Sequence, residues 1–208
     1  MKVVALSSSP RSAGNSRLLT RAVLEGVLEA GHEVELIDLP GRVGEPLRDC
    51  RVCRRADGAC AIEDDYEAVL GRLLDADAVV LATPLYWYGV SGQLKIFIDR
   101  LFCHTSNSAP KPEIVLKSLV GKRLLVVISS EETYPGAISG VVAQFQELSR
   151  YLHWQFAGVV RGVGNSRGEV ARDPDHSVEL ATAAGRRLFD RLVSDYQIDT
   201  LRSGRVWG

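Results

Sequence analysis

The run Ser8-Ser9-Pro10-Arg11-Ser12-Ala13-Gly14-Asn15-Ser16 gathers the groups that grip a phosphate monoester. Hydroxyls stand at Ser9, Ser12 and Ser16, an amide at Asn15 and a guanidinium at Arg11, while Gly14 lends the backbone freedom. The guanidinium supplies charge and paired donors, and the hydroxyls and backbone N–H groups supply direction. An apolar stretch, Val3-Val4-Ala5-Leu6, precedes the run, and Leu18, Leu19, Ala22, Val23 and Val27 follow at helical spacing. That pattern predicts a strand-to-helix loop. First-turn N–H groups of a helix lack intrahelical partners, and the helix dipole favours an anion there. Taken alone, such a loop suits a nucleotide, a sugar phosphate or a flavin phosphate.

A second run, Thr83-Pro84-Leu85-Tyr86-Trp87-Tyr88-Gly89-Val90-Ser91, follows another apolar segment. Three consecutive aromatics at a strand's end cannot all face a core. Pro84 and Gly89 are expected to set and release the turn. The aromatics either lie against a flat heterocycle or cap the sheet edge as ordinary exposed apolar surface. Further on, Lys95 and Asp99 are four residues apart and pair on one helix face, so Lys95, Asp99 and Arg100 read as structural or subunit-contact residues rather than catalytic ones. His32, His104, His153 and His176 show no metal-binding spacing. No Gly-x-Gly-x-x-Gly follows a strand, so a separate dinucleotide-binding unit is not expected.

The elements that position these loops alternate in kind. Strands are expected at Val3 to Ser7, Glu33 to Leu39, Ala78 to Ala82, Arg123 to Ile128 and Gln155 to Val163. Helices are expected at Ser16 to Ala30, Tyr66 to Leu74, Ser91 to Phe102, Ile138 to Tyr151 and Ser177 to Val193, with Gly31 stopping the first. Strands separated by helices imply a parallel sheet covered on both faces, with ligands beyond the carboxyl ends of its strands. The 208 residues suit one domain, expected over residues 1–195, with a C-terminal tail at 196–208. A net charge of −1 provides no basic field for nucleic acid. No segment reads as a signal peptide or membrane span, so a cytoplasmic location without membrane partners is expected. The four cysteines then read as thiols, metal ligands or redox groups rather than a disulfide frame.

Three motifs taken in order, Ser9-Pro10-Arg11 through Gly14-Asn15-Ser16, then Pro84-Leu85-Tyr86-Trp87, then Gln93-Leu94-Lys95-Ile96-Phe97-Ile98-Asp99-Arg100, resemble the flavodoxin-like NAD(P)H-dependent FMN reductase family over roughly the first 165 residues. The resemblance implies an α/β three-layer sandwich whose five parallel strands run in the order 2-1-3-4-5. It implies FMN as cofactor, with NAD(P)H as a transient reductant that delivers hydride and departs before a small acceptor such as a flavin or quinone takes its place. Ser9, Arg11, Asn15 and Ser16 would then hold the FMN phosphate, and Pro84, Leu85, Tyr86, Trp87 and Gly89 would border its ring. A third loop, Ser129 to Gly136, would border it too, through Ser130. There Glu131 and Glu132 replace the Gly-rich version common in the family, and they are expected to point partly to solvent. Relatives commonly complete the pocket with a neighbouring subunit, which implies a homodimer or homotetramer. No protein side chain needs to act as a catalytic acid or base, because the cofactor carries the chemistry.

Cys50-x2-Cys53-x6-Cys60 resembles the cluster-binding segment of iron–sulfur flavoproteins, which are relatives of these reductases. Ala56 stands where a further cysteine belongs, leaving three where a [4Fe–4S] cluster or a structural zinc ion takes four. Cys103 and His104 lie beyond a helix–strand–helix stretch and are expected to be remote. The plainer expectation is no metal and a loop packed by small polarizable side chains near the flavin. Two alternatives to a reductase stand: an iron–sulfur flavoprotein, and a flavodoxin-type electron carrier. Such carriers are usually strongly acidic, which a net charge of −1 does not match.

Overall fold

The central expected strands alternate between two buried faces. In the computed structural model, the described residues are 1–54, 58, 60–106, 109–110 and 112–190. The strands are β1 (Lys2–Ser7), β2 (Glu33–Asp38), β3 (Ala78–Pro84), β4 (Arg123–Ser130) and β5 (Gln155–Val163). All pair in parallel, in the order β2-β1-β3-β4-β5. Val4 and Leu6, Val79 and Leu81, and Leu124, Val126 and Ile128 project into one core layer. Their neighbours Val3 and Ala5, Val80 and Ala82, and Leu125 and Val127 project into the other. A strand buried on both faces reads in sequence as a continuous apolar run for this reason.

The helices are α1 (Asn15–Glu29), α2 (Tyr66–Leu74), α3 (Gly92–Thr105), α4 (Pro112–Leu119), α5 (Ser139–Leu152) and α6 (Ser177–Arg186). Residues of α1 and α6 fill one layer, and residues of α2, α3 and α5 fill the other. α1 and α6 touch backbone to backbone: a Cβ at Gly26 would overlap the Thr182 carbonyl, and one at Gly185 the Val23 carbonyl. This is the flavodoxin-like three-layer sandwich expected from the sequence.

Two differences from expectation have local causes. α4 was not anticipated. It starts on Pro112, with Glu113 in its first turn and Lys117 in its last, a charge order that suits the helix dipole. The closing helix ends at Arg186, short of Val193. The domain boundary expected at 195 and the tail lie outside the described residues. Among the described residues, no helix is long and apolar enough to cross a membrane.

Candidate functional site

β1, β3, β4 and β5 all end at the same edge of the sheet, and their following loops enclose a cavity of about 750 Å³. It lies where the chain order reverses, between β1 and β3, the position favoured for ligands in such sheets. Its volume falls within the usual range for small-molecule sites.

At one end the wall is the loop before α1. The first i→i−4 bond runs from the Leu18 N–H to the Gly14 carbonyl at 3.0 Å, so the earlier first-turn N–H groups have no helical acceptor. The Gly14 N-cap position carries no side-chain cap. Ser9 Oγ donates to the Arg11 carbonyl (3.1 Å) and accepts from the Arg11 N–H (3.2 Å), which curls the loop. A Cβ at Gly14 would overlap Ser9 Oγ, so only glycine keeps this curl undisturbed. Ser16 Oγ is buried without a partner, although a buried hydroxyl ordinarily has one. Arg11 is exposed at the rim. A phosphate group fits this end, since it would complete the orphaned serine, the free N–H groups and the guanidinium together.

Asn15 lies in the same wall, with its side chain engaged elsewhere. Its Nδ2 donates to the carbonyls of Gly164 (2.9 Å) and Ser166 (3.0 Å), and its Oδ1 accepts from the Val170 N–H (3.3 Å). The amide expected to grip a phosphate instead fastens the loop after β5, leaving the backbone N–H to face an anion. Gly164 and Asn165, which sequence reasoning did not single out, therefore join the lining. A Cβ at Gly164 would come within 2.8 Å of the Val170 nitrogen and 3.0 Å of Asn15 Nδ2. The Gly162-Val163-Gly164 spacing at a strand's end was the available signal.

At the other end Pro84, Leu85, Tyr86, Trp87 and Tyr88 form the wall. The Tyr86 N–H donates to the Gly89 carbonyl and the Gly89 N–H to the Tyr86 carbonyl, both at 3.0 Å. Gly89 does not line the cavity. Nor is it the residue that relieves the turn: Trp87 (φ 49°) and Tyr88 (φ 61°) take the left-handed conformation instead. That conformation costs a bulky residue about 1 kcal/mol or more. Trp87 is 97% exposed, so no burial offsets the strain. The Tyr88 hydroxyl donates to Glu132 Oε1 at 3.2 Å. Hydrogen bonding to Tyr134, then to Glu132, raises the Tyr88 pKa.

The third loop also reaches the cavity. Ser130 Oγ donates to the Glu132 carbonyl (3.0 Å), which also accepts from Arg161 Nη2 (2.8 Å). Glu131 is exposed and Glu132 half-buried. A buried chain of hydroxyls sets the distance between the two main loops. Ser91 Oγ donates to Ser8 Oγ (2.7 Å), and Ser8 Oγ donates to the Ala82 carbonyl (2.8 Å). Ser91 also caps α3, accepting from the Leu94 N–H at 3.4 Å, and its own N–H donates to Thr83 Oγ1 at 2.9 Å. Nine of the ten residues expected to bind cofactor thus meet in one cleft, and Gly89 does not line it.

A family profile described as NADPH-dependent FMN reductase matches residues 1–168. The chain belongs to this family. It is 28% identical over 193 residues to YwqN of Bacillus subtilis, named as an NAD(P)H-dependent FMN-containing oxidoreductase, covering 92% of this chain and 98% of that protein. It is 27% identical over 206 residues to an iron–sulfur flavoprotein of Archaeoglobus fulgidus, covering 96% and 84%. Its fold matches that of an NAD(P)H:quinone oxidoreductase from Methanothermobacter marburgensis at a TM-score of 0.68 and 21% identity, over 92% of this chain and 97% of the other. The protein is thus an FMN-dependent oxidoreductase that uses NAD(P)H.

The cysteines of this family member lie apart from the FMN cleft. None of them lines the large cavity, which corrects the expectation that their loop packs beside the flavin. All four line a second cavity, of about 30 Å³. Cys103, expected to be remote, stands on α3 and lines the same cavity as Cys53 and Cys60. Arg100, 2% exposed, braces the region: it pairs with Asp64 (2.5 Å), donates to Cys60 Sγ (3.8 Å) and lies 4.1 Å from the Tyr66 ring centre. Lys95 and Asp99 pair on the same helix at 2.5 Å, far more exposed.

Proposed function

We propose that the enzyme passes electrons from NAD(P)H to a small planar acceptor, such as a free flavin, a quinone, or a nitro- or azo-aromatic compound. The observation that carries this reading is one cavity joining an incomplete anion cradle, with its orphaned Ser16 hydroxyl, to an open aromatic wall. FMN, when bound, supplies the hydride exchange between nicotinamide and acceptor. The protein's part is to bind, orient and exclude water. Ser9, Arg11, Ser16 and the first-turn N–H groups hold the phosphate, while Asn15 fixes the loop that presents them. Pro84, Leu85 and Tyr86 border the ring, and Ser130 shapes the third loop beside it. Gly89 holds the turn that displays Trp87 and Tyr88 to the visiting nicotinamide or acceptor. The exposed aromatic wall also supports assembly with a second copy of the chain, as a homodimer or homotetramer, and four free thiols support a cytoplasmic location.

Anaerobic addition of NADH or NADPH to the FMN-loaded protein tests the reading. Bleaching of the flavin absorbance, reversed by a quinone, is expected. If dithionite bleaches it and neither nucleotide does, the protein is an electron carrier and the reading fails.

A further inference from the structure

Among the described residues, the charged side chains lining the large cavity are Arg11, at the cradle end, and Glu131 and Glu132, from the loop after β4. FMN bound as proposed above brings its phosphate to the Arg11 end, and a phosphate monoester carries about −1.5 to −2 at neutral pH. The cation of the lining is then answered. Two carboxylates remain in the wall of the space that a visiting molecule enters.

Glu132 is held in place there. Tyr88 Oη donates to its Oε1 at 3.2 Å, which sets the carboxylate on the same aromatic wall that displays Trp87 and Tyr88. A phenol donor steadies a carboxylate without cancelling its charge. Arg161 reaches this loop, but its Nη2 donates to the Glu132 main-chain carbonyl (2.8 Å), and Arg161 does not line the cavity. Ser130 Oγ donates to the same carbonyl at 3.0 Å, so the backbone of the loop is fixed as well.

We propose that Glu131 and Glu132 make the cleft select its electron acceptors by charge, taking neutral or cationic planar molecules and turning anionic ones away. The inference rests on the proposed function, in which the acceptor enters this cleft. A cavity of about 750 Å³ is on the order of one Debye length across, so a charge anywhere on an acceptor inside it is felt. For a unit charge about 6 Å away in a water-like medium, each carboxylate is worth roughly threefold in affinity and the two about tenfold. The reduced nicotinamide ring is neutral, with its phosphates beyond the ribose, so the reductant passes this filter at its reacting end.

The test uses the FMN-loaded protein and three quinones that share one ring and one short side chain, ending in a trimethylammonium, a hydroxyl or a carboxylate. Difference spectra of the oxidised flavin give a Kd for each, and turnover gives KM and kcat. At low salt, the Kd and KM of the carboxylate quinone should lie about tenfold above those of the hydroxyl quinone, and those of the cationic quinone below, with kcat little changed. Salt at about 0.5 M should compress this order. The double variant Glu131→Gln/Glu132→Gln should lose most of it, and each single change part of it. Equal affinities for the three quinones, or an order that the glutamine variants keep, overturns the proposal while the reading of the site as a quinone reductase stands. Flavin bleaching by NAD(P)H with no quinone bound or reduced overturns both. Should the double variant fail to fold, the single variants and the salt dependence decide.

Discussion

Gly14 and Ser16 show how single residues prepare the cleft. The curl held by Ser9 leaves no room for a Cβ at 14, and the Ser16 hydroxyl is buried without a partner. Gly14→Ala should therefore displace Ser9 and weaken FMN binding by about tenfold, the equivalent of one hydrogen bond to a charged group. The α1 helix should survive, because Leu19, Ala22, Val23 and Val27 stay packed in the core and the substitution touches only its N-cap. Fluorescence titration of the apoprotein with FMN measures the first effect, and circular dichroism the second. These residues were legible in the sequence because they are contiguous and follow a strand. The engagement of Asn15 was not, since its partners lie about 150 positions away at Gly164, Ser166 and Val170. The side chain's chemistry was visible and its direction was not.

At the scale of elements, α3 joins the two cavities. Its N-terminus is tied through Ser91 to the ends of β1 and β3, and its last turn carries Cys103. Ser91→Ala should remove the cap and leave Ser8 Oγ and the loop it braces less fixed. A loss of about 1–2 kcal/mol is expected from such a cap and its buried partner, read from urea denaturation. FMN affinity should fall with it, although Ser91 is not among the residues lining the cleft. β1, β3 and β4 were readable because burial on both faces leaves continuous apolar runs, and β2 because its apolar and charged residues alternate. The convergence of Cys103 with Cys53 was not, because it follows from how α3 packs against the loop after β2, and no local pattern encodes that.

For the whole molecule, two carboxylates set the acid limb of stability. Burial alone would raise Asp64, but the Arg100 guanidinium and the Tyr66 N–H outweigh it and hold the group below its usual range. Burial would likewise raise Asp173, but the N–H groups of Val163 and Asp175 outweigh it and hold that carboxyl below its usual range. Both folded values lie below the ordinary carboxylate value of about 3.9. The stability they lend is therefore complete above that pH and fades as pH falls through the lower folded values. Urea midpoints should be flat near neutrality and drop below about pH 4. Asp64→Asn strands a buried guanidinium, so it should cost about 3 kcal/mol at neutral pH while making the acid limb shallower. The turn that displays Trp87 and Tyr88 answers to none of these forces. Its conformation is held by two backbone bonds between Tyr86 and Gly89, and the Trp87 side chain stands almost wholly in solvent. Position 87 in particular is open to exchange: side chains that tolerate its positive φ, glycine and asparagine above all and β-branched residues least, should alter which acceptors are taken without a toll on folding, which makes it the natural place to begin a library for new electron acceptors.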